Sequence, residues 1–209
     1  MTTSKTTSFI LPLIVLGIVS CGKECDYVNP GRIVNGVLSV DDLKWSMQMP
    51  SKVKEIDTLE YLRVANLGLA HLGNHSFNEC SQNVARWRID KNQSNSFVFD
   101  LILGTNNGKN FSIISSTRSV YKSMANQYNA LYTDSLSRLM ISGVRFALLK
   151  SVFIKQNDTL YNSIYEAIYM NRLIVVQISA RTQEDMNQWC NYFEKSNFRN
   201  DPKEVVSTY

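Results

Sequence analysis

Few residues of this 209-residue chain have the type and spacing that chemistry requires. His71 and His75, the two histidines, stand four apart with Cys80 nearby. Two histidines one helical turn apart can ligate zinc from one helix face. Here Gly73-Asn74 lies between them, which is turn chemistry, and Cys80 is the one further soft ligand close in sequence. The pattern reads as a loop with two solvated histidines, and no metal is expected. Nucleophilic catalysis needs a Ser or Cys activated by a base that is itself oriented. No Gly-x-Ser-x-Gly turn occurs, and Cys80 meets the histidines in sequence only. The carboxylate pairs Asp41-Asp42 and Glu184-Asp185 fall at element starts, where solvation or capping accounts for them. Gly104 and Gly108 flank an Asn-rich turn without the ending of a phosphate loop. The chain is therefore expected to be no enzyme and to use no cofactor.

Tyrosines carry a different signal. Tyr161, Tyr165 and Tyr169 share one face of one expected strand, and Tyr128 and Tyr132 lie on a helical repeat. Tyrosine favours interaction surfaces because a rigid ring buries area at low entropy cost and keeps a polar end. The three strand tyrosines thus form either a partner surface or a face that receives a helix.

The elements that position these residues follow from periodicity. Leu43 to Met49 alternates apolar and polar and stops at Pro50, as a strand does. Further strands are expected at Tyr61 to Leu69, residues 84 to 90, Phe97 to Leu103 and Phe111 to Ile114. The period then changes: Val120, Met124, Tyr128, Leu131 and Tyr132 have helical spacing, with Ser116 or Thr117 as cap. Val144 towards Ile154, Leu160 to Met170 and Leu173 to Ile178 return to strands, joined by turns at Gln156-Asn157-Asp158 and Asn171-Arg172. The last of these is almost continuously apolar and so central. Thr182-Gln183-Glu184-Asp185 has capping-box spacing, and Met186, Trp189, Cys190 and Phe193 then make one apolar helix face.

The N-terminus says where such a domain resides. Lys5 precedes the apolar run Phe9 to Val19, too short for the ~20 residues of a spanning helix, and the pattern is that of a secretory signal. Ile18-Val19-Ser20-Cys21 resembles the bacterial lipobox, which implies that Cys21 is acylated and becomes the new N-terminus. Two or more acyl chains anchor stably. Lys23-Glu24 is similar to the charged signals that send some Bacteroidetes lipoproteins to the cell surface. Asp57-Thr58-Leu59, Asp134-Ser135-Leu136 and Asp158-Thr159-Leu160 resemble O-glycosylation sites of Bacteroidetes envelope proteins. The resulting organisation is a signal peptide over 1–20, a lipidated cysteine and flexible linker over 21–40, one domain over 41–200 and a tail over 201–209. With Cys21 acylated, Cys25, Cys80 and Cys190 remain. Cys190 falls on the apolar face of the last helix and is expected as a free buried thiol, with a Cys80–Cys190 disulfide as the alternative.

The chain carries 22 basic and 18 acidic residues, interspersed. A nucleic-acid footprint needs clustered Lys and Arg on one face, so nucleic acid is excluded as a partner. The expected fold is α+β, an antiparallel β-sheet packed with two main helices. Strands, helix, long hairpin, central strand and a C-terminal helix ending in Phe193-Glu194-Lys195-Ser196-Asn197-Phe198 resemble the order in PsbP-like proteins. That resemblance implies a PsbP-like α/β/α sandwich and a non-catalytic binding or assembly role. The expectation is a lipoprotein of the bacterial cell envelope, held at the outer membrane by its lipid and engaging a protein partner. The alternative is an immunity lipoprotein that neutralises a secreted antibacterial toxin.

Overall fold

The computed structural model describes residues 31–51, 53–55, 84–90, 96–105 and 113–199. The first strands are β1 (Arg32–Val34), β2 (Val37–Val40) and β3 (Trp45–Gln48), with a 3₁₀ turn at Asp41–Leu43. β4 (Lys54–Glu55), β5 (Val84–Asp90) and β6 (Ser96–Thr105) follow. After them come α1 (Ile113–Gln127), β7 (Leu131–Ile141), β8 (Val144–Lys155), β9 (Asp158–Tyr169) and β10 (Arg172–Ala180). α2 (Gln183–Glu194) and β11 (Asn197–Phe198) close the domain.

The larger sheet has the order β4-β5-β6-β10-β9-β8-β7 and the smaller one β1-β2-β3-β11, every pairing antiparallel. β10 is central, as its apolar run requires, because both of its faces are covered. On one face Ile174, Val176, Ile178 and Ala180 join Trp189, Cys190 and Phe193 of α2 and Leu38, Val40, Trp45 and Met47 of the small sheet. On the other, Val175 packs with Leu149, Phe153 and Ile164 against Ile113, Ile114, Tyr121, Met124 and Ala125 of α1. The architecture is α+β, with the large sheet sandwiched between α1 and a layer of α2 plus the small sheet.

Three boundaries differ from the sequence reading. Residues 32–40, expected as linker, are β1 and β2, and Leu38 and Val40 are fully buried. Their turn is Asn35-Gly36 with φ of 51° and 75°, a dipeptide that favours the two-residue hairpin because both residues tolerate positive φ. Ile113 and Ile114, expected to end a strand, instead open α1, which starts before Ser116 and Thr117. The Ile114 N–H donates to Glu166 Oε2 at 2.7 Å, so a carboxylate 52 positions away in sequence holds an orphan donor of the first turn. At the far end, Asn129 has φ 51°, and the Ala130 N–H donates to the Ala125 carbonyl at 2.9 Å. That is a Schellman stop, so Leu131 and Tyr132 leave the helix and begin β7. The expected strand at 61–69 lies outside the described residues.

α2 follows its sequence signature. The Asp185 N–H donates to Thr182 Oγ1 at 3.1 Å, and Met186, Trp189, Cys190 and Phe193 are buried. The chain then turns through Ser196 to place Phe198 against Trp45, stacked with centroids 5.6 Å apart.

Candidate functional site

The α1 face of the large sheet carries a polar row. Ser151, Asn162 and Ser179 are register partners on β8, β9 and β10, and all three are buried. The Ser179 hydroxyl donates to Asn162 Oδ1 at 2.6 Å, while Ser151 Oγ and Asn162 Nδ2 have no hydrogen-bond partner. One row further along, Gln177 Nε2 donates to the Tyr121 hydroxyl of α1 at 3.0 Å.

At the β7 end of the same row stands Asp134, register partner of Ser151. Its side chain is 5% exposed and receives both prongs of Arg118, from Nε at 2.9 Å and Nη2 at 2.6 Å, with Lys122 Nζ at 3.9 Å. The Arg118 hydrogen bonds hold the Asp134 carboxyl below the usual carboxylate range. Burial pushes the neighbouring Tyr132 phenol up, and Asp134 pushes it further, although the Tyr132 hydroxyl meets no hydrogen-bond geometry. The two shifts run away from neutrality. At pH 7 the carboxylate stays ionised and the phenol stays protonated, so neither is matched to general acid–base work. Chemically the cluster is a bidentate ion pair that pins α1 to β7.

Beside it, at the β8–β9 turn, Ala130, Phe153, Lys155, Asp158, Thr159, Leu160 and Arg181 line a depression of about 40 Å³. Ligand clefts enclose ~300–1,000 Å³, so this one holds only a few waters. Arg181 pairs with Asp158 at 3.8 Å, and Lys155 Nζ lies 5.6 Å from the centre of the Tyr128 ring. Among the described residues no three His, Cys, Asp or Glu side chains gather as a metal site.

The tyrosine face is a correction. Tyr161, Tyr165 and Tyr169 do share one side of β9, but that side receives α2 and the small sheet. Tyr165 is fully buried, its ring 4.7 Å from Phe193 and its hydroxyl donating to Glu194 Oε1 at 2.8 Å. Tyr161 and Tyr169 are half-buried against the same core, and Tyr169 meets Phe198 edge-on at 5.3 Å. These rings fill the interior because strand periodicity records a common face without recording what covers it. Cys190 is a free buried thiol whose Sγ lies 3.5 Å from Met186 Sδ. Burial pushes its thiol up, which keeps it protonated and unreactive at neutral pH.

Cys21, His71, His75, Cys25, Cys80 and Asp57 lie outside the described residues. Of the other two Asp-Ser/Thr-Leu triplets, Asp134 is committed to Arg118, and Asp158 to Arg181. The surface that periodicity missed is β7. Its residues Leu131, Leu136 and Met140 are exposed, and the missing signal is an edge strand polar on both sides, Thr133-Asp134-Ser135 and Ser137-Arg138.

No family model matches the chain, and no curated protein matches it in sequence. Solved structures do align with it. Cyanobacterial PsbP (CyanoP) from Synechocystis sp. PCC 6803 is 9% identical, with a TM-score of 0.49 over 87% of this chain and 98% of its own. A protein of Bacteroides thetaiotaomicron VPI-5482 is 11% identical, with a TM-score of 0.42 over 76% of this chain and 46% of its own. LpqN of Mycobacterium tuberculosis, involved in cell envelope biogenesis, is 11% identical, with a TM-score of 0.38 over 72% of this chain and 80% of its own. Likeness at this level concerns the course of the chain and transfers no site or role.

Proposed function

We propose that this protein is a lipid-anchored lipoprotein of the bacterial cell envelope that acts as a non-catalytic binding or assembly module. The observation that carries the non-catalytic reading is the state of the polar side chains. Asp134, Tyr132, Glu166, Tyr165 and Cys190 hold elements together or are held away from a reactive protonation state. The depression at the β8–β9 turn holds only a few waters, and this reading assigns recognition to the outer surface. The anchor rests on Lys5, the apolar run and Ile18-Val19-Ser20-Cys21, and an outer-membrane location on the lipid together with Lys23-Glu24.

Two measurements test this. Metabolic labelling with palmitate is expected to mark the wild-type chain and to fail for Cys21→Ala; label retained on the variant overturns the anchor. Crosslinking in intact membranes, followed by mass spectrometry, is expected to return envelope proteins. A single stoichiometric secreted toxin in their place moves the function to immunity.

A further inference from the structure

One corner of the large sheet stays open beyond the first turn of α1, which begins at Glu166. Leu136 and Met140 of β7 and Ile168 of β9 are 51%, 58% and 55% exposed there. They share the face that receives α1, because Tyr132, Asp134 and Ile164, which meet that helix, lie at even spacing along the same strands. Arg138 stands between the two β7 residues, and Arg145 is the register partner of Met140. Both arginines are exposed, and neither makes an ion pair among the described residues. The carboxylate on their row, Glu166, accepts the Ile114 N–H. The corner is thus three large apolar side chains interleaved with two arginines. Exposed apolar side chains that cluster in this way mark interaction sites.

The same end of the molecule receives the chain from its N-terminal side. Ser142 of the β7–β8 turn places its hydroxyl 3.0 Å from Asn197 Oδ1 and 3.2 Å from the Phe198 carbonyl of β11. Phe198 pairs with Trp45 and Trp45 with Val40, and Gly31 stands beside Val40, one step beyond the Arg32–Ser39 pair. Three strand spacings of ~4.8 Å, about 15 Å in all, therefore separate Gly31 from the strand that holds the turn. Along this row the Arg199 N–H donates to the Lys44 carbonyl, and exposed Arg32, Lys44 and Arg199 outnumber Asp41 and Asp42.

We propose that this end of the domain docks on the membrane that holds the lipid. Leu136, Met140 and Ile168 enter the headgroup layer, and Arg138 and Arg145 meet the phosphates of anionic phospholipids. The inference rests on the acylation of Cys21. The tether makes a bilayer the occupant. Nine residues, 22–30, separate Cys21 from Gly31. A flexible chain of that length has an end-to-end distance of ~17 Å and reaches ~30 Å at full stretch. The entry end is thereby kept beside the headgroups whatever else the domain meets. Its chemistry suits them: aliphatic side chains sink ~5–10 Å into the acyl boundary, while arginine stems lie along apolar surface and keep their charge at the phosphates. Each basic side chain near an anionic leaflet raises affinity about fivefold.

The test uses the lipidated full chain in vesicles of phosphatidylcholine and phosphatidylglycerol that carry a photoactivatable phospholipid. After illumination and digestion, mass spectrometry is expected to find lipid adducts on the peptides holding Met140, Arg145 and Ile168. The peptide holding Gln183 and Asn187 is expected to stay clean, because β10 runs from Arg172 at this end to Ala180 at the other. Charge reversal by Arg138→Glu with Arg145→Glu is expected to cut labelling about tenfold or more, with melting unchanged since both positions are exposed. Vesicles of phosphatidylcholine alone are expected to give the same loss with the wild-type chain. The Cys21 peptide in the same digest reports acylation. An acylated Cys21 without adducts at the corner, adducts spread equally over both ends, or labelling indifferent to both charge reversal and lipid charge overturns the docking and leaves the anchor standing. A photoreactive residue at position 140 that captures a protein in place of lipid in intact cells overturns it as well. An unacylated Cys21 overturns the anchor, and the docking with it.

Discussion

Asp134 shows how much a single side chain decides here. It sits in an exposed edge strand, yet Arg118 and Lys122 enclose it from α1. Because its folded pKa is depressed, its contribution is complete above the ordinary value of 3.8 and is lost as pH falls through the lower folded value. Asp134→Asn is expected to lower the melting temperature at pH 7, and the gap to wild type is expected to narrow towards pH 3. A gap independent of pH contradicts the ion-pair role. Tyr165 is the second residue-scale case. Its ring is core and its hydroxyl reaches Glu194, so Tyr165→Phe is expected to cost about 1 kcal/mol and Tyr165→Ala about 3–5 kcal/mol in denaturant unfolding. A binding surface would show the opposite pattern, lost affinity with unchanged stability.

Elements are delimited by both local and distant partners. α2 carries its own start signal in Thr182, whose hydroxyl accepts from the Asp185 N–H. α1 borrows its start from Glu166 on β9. Glu166→Ala is therefore expected to fray the first turn of α1, with the Ile114 amide losing hydrogen-exchange protection while the α2 amides keep theirs. Loss of protection in both helices contradicts a local role. The stop of α1 is local again: Asn129 tolerates positive φ and lets the chain reverse into β7. Turns elsewhere are less well matched to their residues. Met170 and Asn171 both have positive φ, one position earlier than the Asn171-Arg172 expected from composition, because the Arg172–Tyr169 pair sets the register of a two-residue turn.

At the scale of the molecule, the small sheet is integral to the domain. Leu38, Val40, Leu43, Trp45 and Met47 lie in the same core as α2 and one face of β10. Trp45 stacks on Phe198 and meets Phe193 edge-on at 6.0 Å, so both ends of the described chain lock together. Leu38→Ala is expected to cost about 2–5 kcal/mol by chemical denaturation, where a linker residue costs almost nothing. A negligible change would return residues 32–40 to the linker.

The α+β class, the antiparallel strands 144–178, the central place of β10 and the capped, amphipathic α2 were legible in the sequence. Each depends on near-neighbour periodicity or capping, which the order of residues encodes directly. Asn35-Gly36 is a hairpin dipeptide, but the composition of the surrounding stretch leads to the linker expectation instead. Tertiary structure alone decided what covers each face. It turned Tyr161, Tyr165 and Tyr169 inward because α2 and the small sheet lie on their side of β9. It started α1 at Ile113 through a carboxylate distant in sequence. It also made a strand of Leu131–Ile141, whose mixed polar faces carry weak periodicity because α1 covers one end of it and α2's layer the other. Side-chain order specifies which residues share a face; the packing of layers specifies whether that face meets core, helix or open solvent.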